Sequence, residues 1–96
     1  MTASKNKKAQ TVAERDHVAL VKLVDCAVCN APAPCDAHEP VQGLWWISVA
    51  LCRDCHMNPF LGLHGQKRNW IIYKMDEWKA LNITLARVNA LSGRQI

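Results

Sequence analysis

Apolar positions along the chain change their spacing several times, and each change predicts an element. Thr11 is placed to cap a helix over residues 12–24, and Glu14 three residues on completes a capping box. Ala13, Leu20, Leu23 and Val24 form its candidate apolar face, although Val18, Val21 and Val24 suit a strand as well. Residues 25–36 carry Pro32 and Pro34 and predict no helix. Cys35 to Glu39 predicts a short strand before Pro40, and Gln42-Gly43 a turn. Leu44 to Leu51 is a near-continuous apolar run, so it reads as a second strand closing a hairpin, with Trp45 and Trp46 on opposite faces.

A short helix is expected from Arg53, ended by Asn58-Pro59. Gly62 and Gly65 bracket His64 in a loop, and Gln66 to Lys74 reads as another helix. Asp76 can cap a last helix from Glu77 to about Leu91, and Gly93 ends it. Trp78, Leu81, Leu85, Val88 and Leu91 recur along it at three to four residues. Residues 1–10 contain no core former and read as a disordered basic tail. Residues 11–96 then form one domain, with a metal core over 26–65 and C-terminal helices over 66–92.

Length and composition narrow the classes. At 96 residues the chain holds one small domain with a thin core. No apolar run reaches the ~20 residues of a membrane span, and Val18 to Val24, interrupted by Lys22, is too short for a signal segment. The expected compartment is a reducing one, the cytoplasm. There five cysteines point to metal before disulfides. The net charge of +4 owes much to Lys5, Lys7 and Lys8. It fits either nucleic-acid binding or a solvated tail.

The strongest chemical signal is a pair of CxxC motifs, Cys26 with Cys29 and Cys52 with Cys55, separated by a hairpin-length segment. Two such knuckles complete a tetrahedral zinc site. The competing uses are a thioredoxin-like redox motif, disfavoured by the absence of a βαβ pattern, and an iron–sulfur cluster. Cys35 is left over and reads as a small buried hydrophobe. Four thiolates close the zinc to substrate, so chemistry needs a second site. His38, Glu39, His56 and His64 are its candidates. His17 reads as an ordinary helix residue, exposed or satisfied.

These residues stand in a pattern. Cys-x-x-Cys, Asp36-Ala37-His38-Glu39, Ala50-Leu51-Cys52-Arg53-Asp54-Cys55-His56 and Leu63-His64-Gly65 together resemble the HNH (ββα-metal) nucleases. The likeness is to small phage and prophage members similar to the Ref recombination nuclease, and covers about residues 26–65. It implies an α+β, zinc-stapled ββα-metal domain with flanking helices. It also implies metal-dependent DNA endonuclease activity, with Mg2+ or Mn2+ as the catalytic ion beside structural Zn2+. DNA is the implied partner, with phage recombination or replication proteins as further ones. His38, Glu39 and His56 are the implied catalytic residues, and His38, His56 and His64 the ligands of the catalytic ion. Glu39 stands where many relatives have the base histidine, and Trp45 to Val49 holds no counterpart of the middle asparagine. Whether His38 is the ligand and Glu39 the base, or the reverse, is open at this stage. Lys67 and Arg68, followed by Trp70, are candidate DNA contacts, with Trp70 equally suited to the core. The alternative function is a non-catalytic zinc module that binds DNA or a protein partner.

Overall fold

The structure, a computed structural model, describes residues 9–93. The tail lysines 5, 7 and 8 lie outside them. The described residues fold as a small α+β domain with four α-helices and a two-stranded antiparallel sheet. In order these are α1 (Val12–Val21), β1 (Asp36–His38), a 3-10 turn (Trp45–Ile47), β2 (Val49–Leu51), α2 (Arg53–Met57), α3 (Arg68–Ile72) and α4 (Glu77–Ser92). No described helix is long and apolar enough to cross a membrane.

The capping box of α1 forms as its sequence predicts. Thr11 Oγ1 accepts from Glu14 N at 3.1 Å, and Glu14 Oε1 accepts from Thr11 N at 2.8 Å. The helix stops at Val21 rather than Val24: Leu23 N and Val24 N bond only three residues back, to Leu20 O and Val21 O, and Lys22 O accepts from Cys35 N at 2.9 Å. Its buried face is also rotated from the expected one. His17 and Val21 point inward with Val24 just beyond the helix end, while Leu23 is exposed. His17 is only 5% exposed and its ring lies 5.0 Å from that of Trp46.

The long second strand expected over residues 44–51 is three residues, preceded by the 3-10 turn. Ser48 explains the change: both its N and its Oγ donate to Trp45 O, at 3.2 and 2.7 Å. That closure curls the two tryptophans out of extended backbone, so they do not alternate across a strand. The remaining strands pair Asp36 with Leu51, Ala37 with Ala50 and His38 with Val49. Val49, Ala50 and Leu51 are fully buried and form the centre of the core with Val21, Cys26, Cys55, Trp70, Ala80 and Val88.

Helix α4 covers this sheet. Asp76 caps it, accepting from Lys79 N at 2.8 Å, and it ends at Gly93. Its buried stripe runs through Ala80, Leu81, Thr84 and Val88. Trp78 and Leu91, expected on that stripe, lie outside it; Trp78 is 77% exposed. The helix before it is shorter than predicted, with Lys67 in the left-handed region at φ 58°.

Candidate metal centres

The knuckle Cys26–Cys29 and the start of α2 bring four sulfurs together. One atom from each of Cys26, Cys29, Cys52 and Cys55 lies within 4.8 Å of all the others. Cys29 Sγ and Cys52 Sγ are 3.7 Å apart. A tetrahedron with Zn–S bonds of ~2.3 Å has edges of ~3.8 Å, so this spacing fits zinc. Backbone amides point at the sulfurs, Val28 N to Cys26 and Cys55 N to Cys52, each at 3.4 Å. Asn69 Nδ2 donates to Cys55 Sγ at 3.3 Å. Donors of this kind stabilise thiolates, the form a metal needs.

The thiols act on one another's ionisation through their contacts. The hydrogen bond from Cys55 holds Cys26 down to about 4, and that same contact, with burial, pushes Cys55 up. Burial likewise pushes Cys52 up to about 11. A divalent cation would favour ionisation of all four. Cys35 stands apart from the set. It is buried, and desolvation with its charged neighbours pushes it up to about 12, keeping it a thiol.

A second cluster forms around His56 of α2. Ring nitrogens of His38, His56 and His64 fall within 4.8 Å of one another. Their ring centroids form a near-equilateral triangle of 4.9 to 5.3 Å. Each histidine comes from a different piece of backbone: His38 ends β1, His56 sits in α2 and His64 in the following loop. The loop reaches because it folds tightly back on α2. Leu63 N donates to Cys55 O at 2.8 Å, and His64 N to His56 O at 3.2 Å. Gly62 and Gly65 permit this approach. A Cβ on Gly62 would meet His56 O and the Asn58 backbone at 2.8 Å, and one on Gly65 would collide with Pro59.

Two carboxylates that the sequence reading did not single out support the histidines from behind. His56 Nδ1 donates to Asp36 Oδ2 at 3.0 Å, and Arg53 pairs with the same oxygen at 3.2 Å. The hydrogen bond from His56, with Arg53, lowers the Asp36 pKa. His38 Nε2 donates to Glu77 Oε2 at 3.1 Å. Burial pushes the His38 pKa down, and Glu77 only partly offsets this. A signal for Asp36 existed: on a strand, residues two apart share a face, so Asp36 travels with His38. Glu77 had none, since 39 residues separate it from its partner.

Glu39 lines the cleft beside the three histidines, and its Oε1 accepts from Gly43 N at 2.8 Å across the turn. It does not belong to the three-nitrogen set. Trp70 is core, 4% exposed, with its Nε1 donating to Cys55 O at 2.8 Å. It therefore presents no stacking face beside Lys67 and Arg68, which are both exposed. Arg68 lies over the Phe60 ring at 5.5 Å. Comparison of the chain with protein families, with curated proteins and with solved structures finds no match.

Proposed function

We propose that the chain is a metal-dependent DNA endonuclease of the ββα-metal kind, hydrolysing phosphodiester bonds. The observation that carries this reading is the convergence of His38, His56 and His64 on one open cleft of a strand–strand–helix unit. The four-cysteine cluster, close enough to hold a metal such as zinc, supports the same reading. Three imidazoles fit a borderline ion such as Zn2+, Ni2+ or Co2+ better than hard Mg2+. Of the two ions implied by the family resemblance, Mn2+ suits the donors better. When bound, such an ion acts as a Lewis acid toward the phosphate and the leaving oxygen.

The chain's own residues divide the remaining work. His38, His56 and His64 would hold the ion, and on this reading His38 is the ligand and Glu39 the base. Glu39 takes the proton from the attacking water, its side chain steadied by Gly43 N. Asp36 orients His56. Lys67 and Arg68 extend from the His64 loop and bind the phosphate backbone without reading sequence.

The test is cleavage of plasmid and of single-stranded DNA by the zinc-loaded protein, with Mn2+, Co2+, Ni2+, Zn2+ or Mg2+ added. Cleavage is expected with at least one ion. His38→Ala, His56→Ala and Glu39→Ala should each lower it by roughly 10²–10⁴-fold while the cysteine zinc stays in place. Wild-type protein that cleaves neither DNA with any of these ions would remove the reading. Salt-sensitive DNA retention without cleavage would point instead to a binding module.

A further inference from the structure

Glu77 opens α4 and meets His38 from outside the cleft. The His38 ring lines the cleft with His56 and His64. Glu77 lines a separate apolar groove with Pro40, Val41, Ile47, Trp78 and Leu81. The imidazole thus meets Glu77 through Nε2, while its ring lies 5.1 and 5.3 Å from those of His56 and His64. An ionised carboxylate only accepts hydrogen bonds, so the nitrogen 3.1 Å from Glu77 Oε2 carries the proton. A neutral imidazole has one N–H and one lone pair, and here the lone pair is left on Nδ1. His56 has the opposite arrangement: Nδ1 donates to Asp36, leaving the lone pair on Nε2.

We propose that Glu77 is a positioning residue of the histidine site, holding His38 as the Nε2–H tautomer so that Nδ1 faces a divalent transition ion. The helix that covers the core thereby sets the geometry of a ligand on the sheet. This rests on the reading of His38 as a metal ligand, but not on DNA cleavage.

The experiment uses the full chain with zinc on its cysteines and Co2+ as the probe ion, comparing wild type with Glu77→Ala and Glu77→Gln. Losing a carboxylate behind a ligand histidine costs about 10–100-fold in metal affinity. Glu77→Ala should therefore weaken Co2+ binding by about that factor, with the cysteine zinc retained. Glu77→Gln should restore most of the affinity, because its amide oxygen accepts the same N–H. Before Co2+ is added, long-range nitrogen–proton NMR should read His38 as Nε2–H in wild type and in the glutamine variant. An Nδ1–H His38 in wild type, no Co2+ binding by wild type, or unchanged affinity in Glu77→Ala would each overturn the proposal. If Glu77→Ala fails to fold, the wild-type tautomer and the affinity of the glutamine variant still decide it. Glu77-dependent Co2+ binding in a protein that cuts no DNA would sink the nuclease reading and leave this inference standing.

Discussion

The two candidate metal centres share α2 yet differ in almost every physical respect. Cys52 caps this five-residue helix and Cys55 lies within it, and both face the core; His56, one residue further, faces the cleft. The sulfur cluster is half made of fully buried residues, Cys26 and Cys55, and receives backbone and side-chain donors. The histidine cluster has an exposed member, His64, and carboxyl side chains against two of its rings. One set is enclosed by the core and the other opens onto a cleft. A helix this short would not persist alone in water, so the orientation of His56 depends on the sulfur cluster being intact.

That dependence can be broken from one side only. Cys55→Ser should give the largest effect, with loss of zinc, of the fold and of the histidine triangle together. Circular dichroism and metal analysis would show it, and a folded variant lacking zinc would refute the hierarchy. The reverse substitution, His56→Ala, should keep the zinc and the fold.

Gly65→Ala should come next. A methyl group there collides with Pro59, so the loop must move away from α2. Co2+ affinity at the histidines is expected to fall by an order of magnitude or more, toward that of a two-ligand site, with the cysteine zinc unchanged. Equal affinity in the variant and the wild type would show that His64 is dispensable.

A smaller effect is expected at Arg87. Its guanidinium donates to the carbonyls of Asp25 and Cys26, each at 3.1 Å, and to Asn30 Oδ1 at 2.7 Å. It ties α4 to the first cysteine knuckle. Arg87→Met keeps the stem but leaves those acceptors without their donor, and should cost about 1–3 kcal/mol in denaturant unfolding. A change confined to the histidine site would contradict this assignment.

The smallest effect is a pH dependence. The Asp36 pKa is depressed in the folded state by His56 and Arg53. The unfolded chain therefore binds the proton more readily. The stabilisation is fully present above the unfolded carboxyl pKa of ~3.9 and is lost as pH falls through the lower folded value. Asp36→Asn should be less stable than wild type at neutral pH, with the gap closing below about pH 4. A gap that persists at pH 2 would show that packing is responsible.

Local features were legible in the sequence and tertiary ones were not. The cysteine pairs, the capping box at Thr11, the Asp76 cap and the end of α2 at Asn58 each rest on residues within three or four positions. His38, His56 and His64 were legible as a set through a family pattern, although nothing local showed that the His64 loop folds back far enough. The apolar run at 44–51 misled because Ser48 draws Trp45 into a tight turn. The stripe on α4 misled because its inward face is chosen by β2, which takes Thr84 and turns Trp78 outward. Glu77 looked like an ordinary acidic residue at a helix start, and only the packing of α4 gives it His38.

Thr84 also has a consequence for solubility. Ala50 occupies the middle of β2, and both its peptide groups point away from β1. Its N–H is taken by Thr84 Oγ1 at 3.1 Å, and its carbonyl by Ala27 N at 3.0 Å. Thr84 in turn donates to Ala80 O at 2.8 Å, so its hydroxyl hydrogen is used as well. A sheet of two strands ordinarily offers an open edge on each side to any extended chain nearby. Here one edge is sealed by a helix hydroxyl and a knuckle amide, so strand-by-strand association through β2 is blocked. The apolar trio Val49-Ala50-Leu51 is thereby kept from pairing with a further strand on that side.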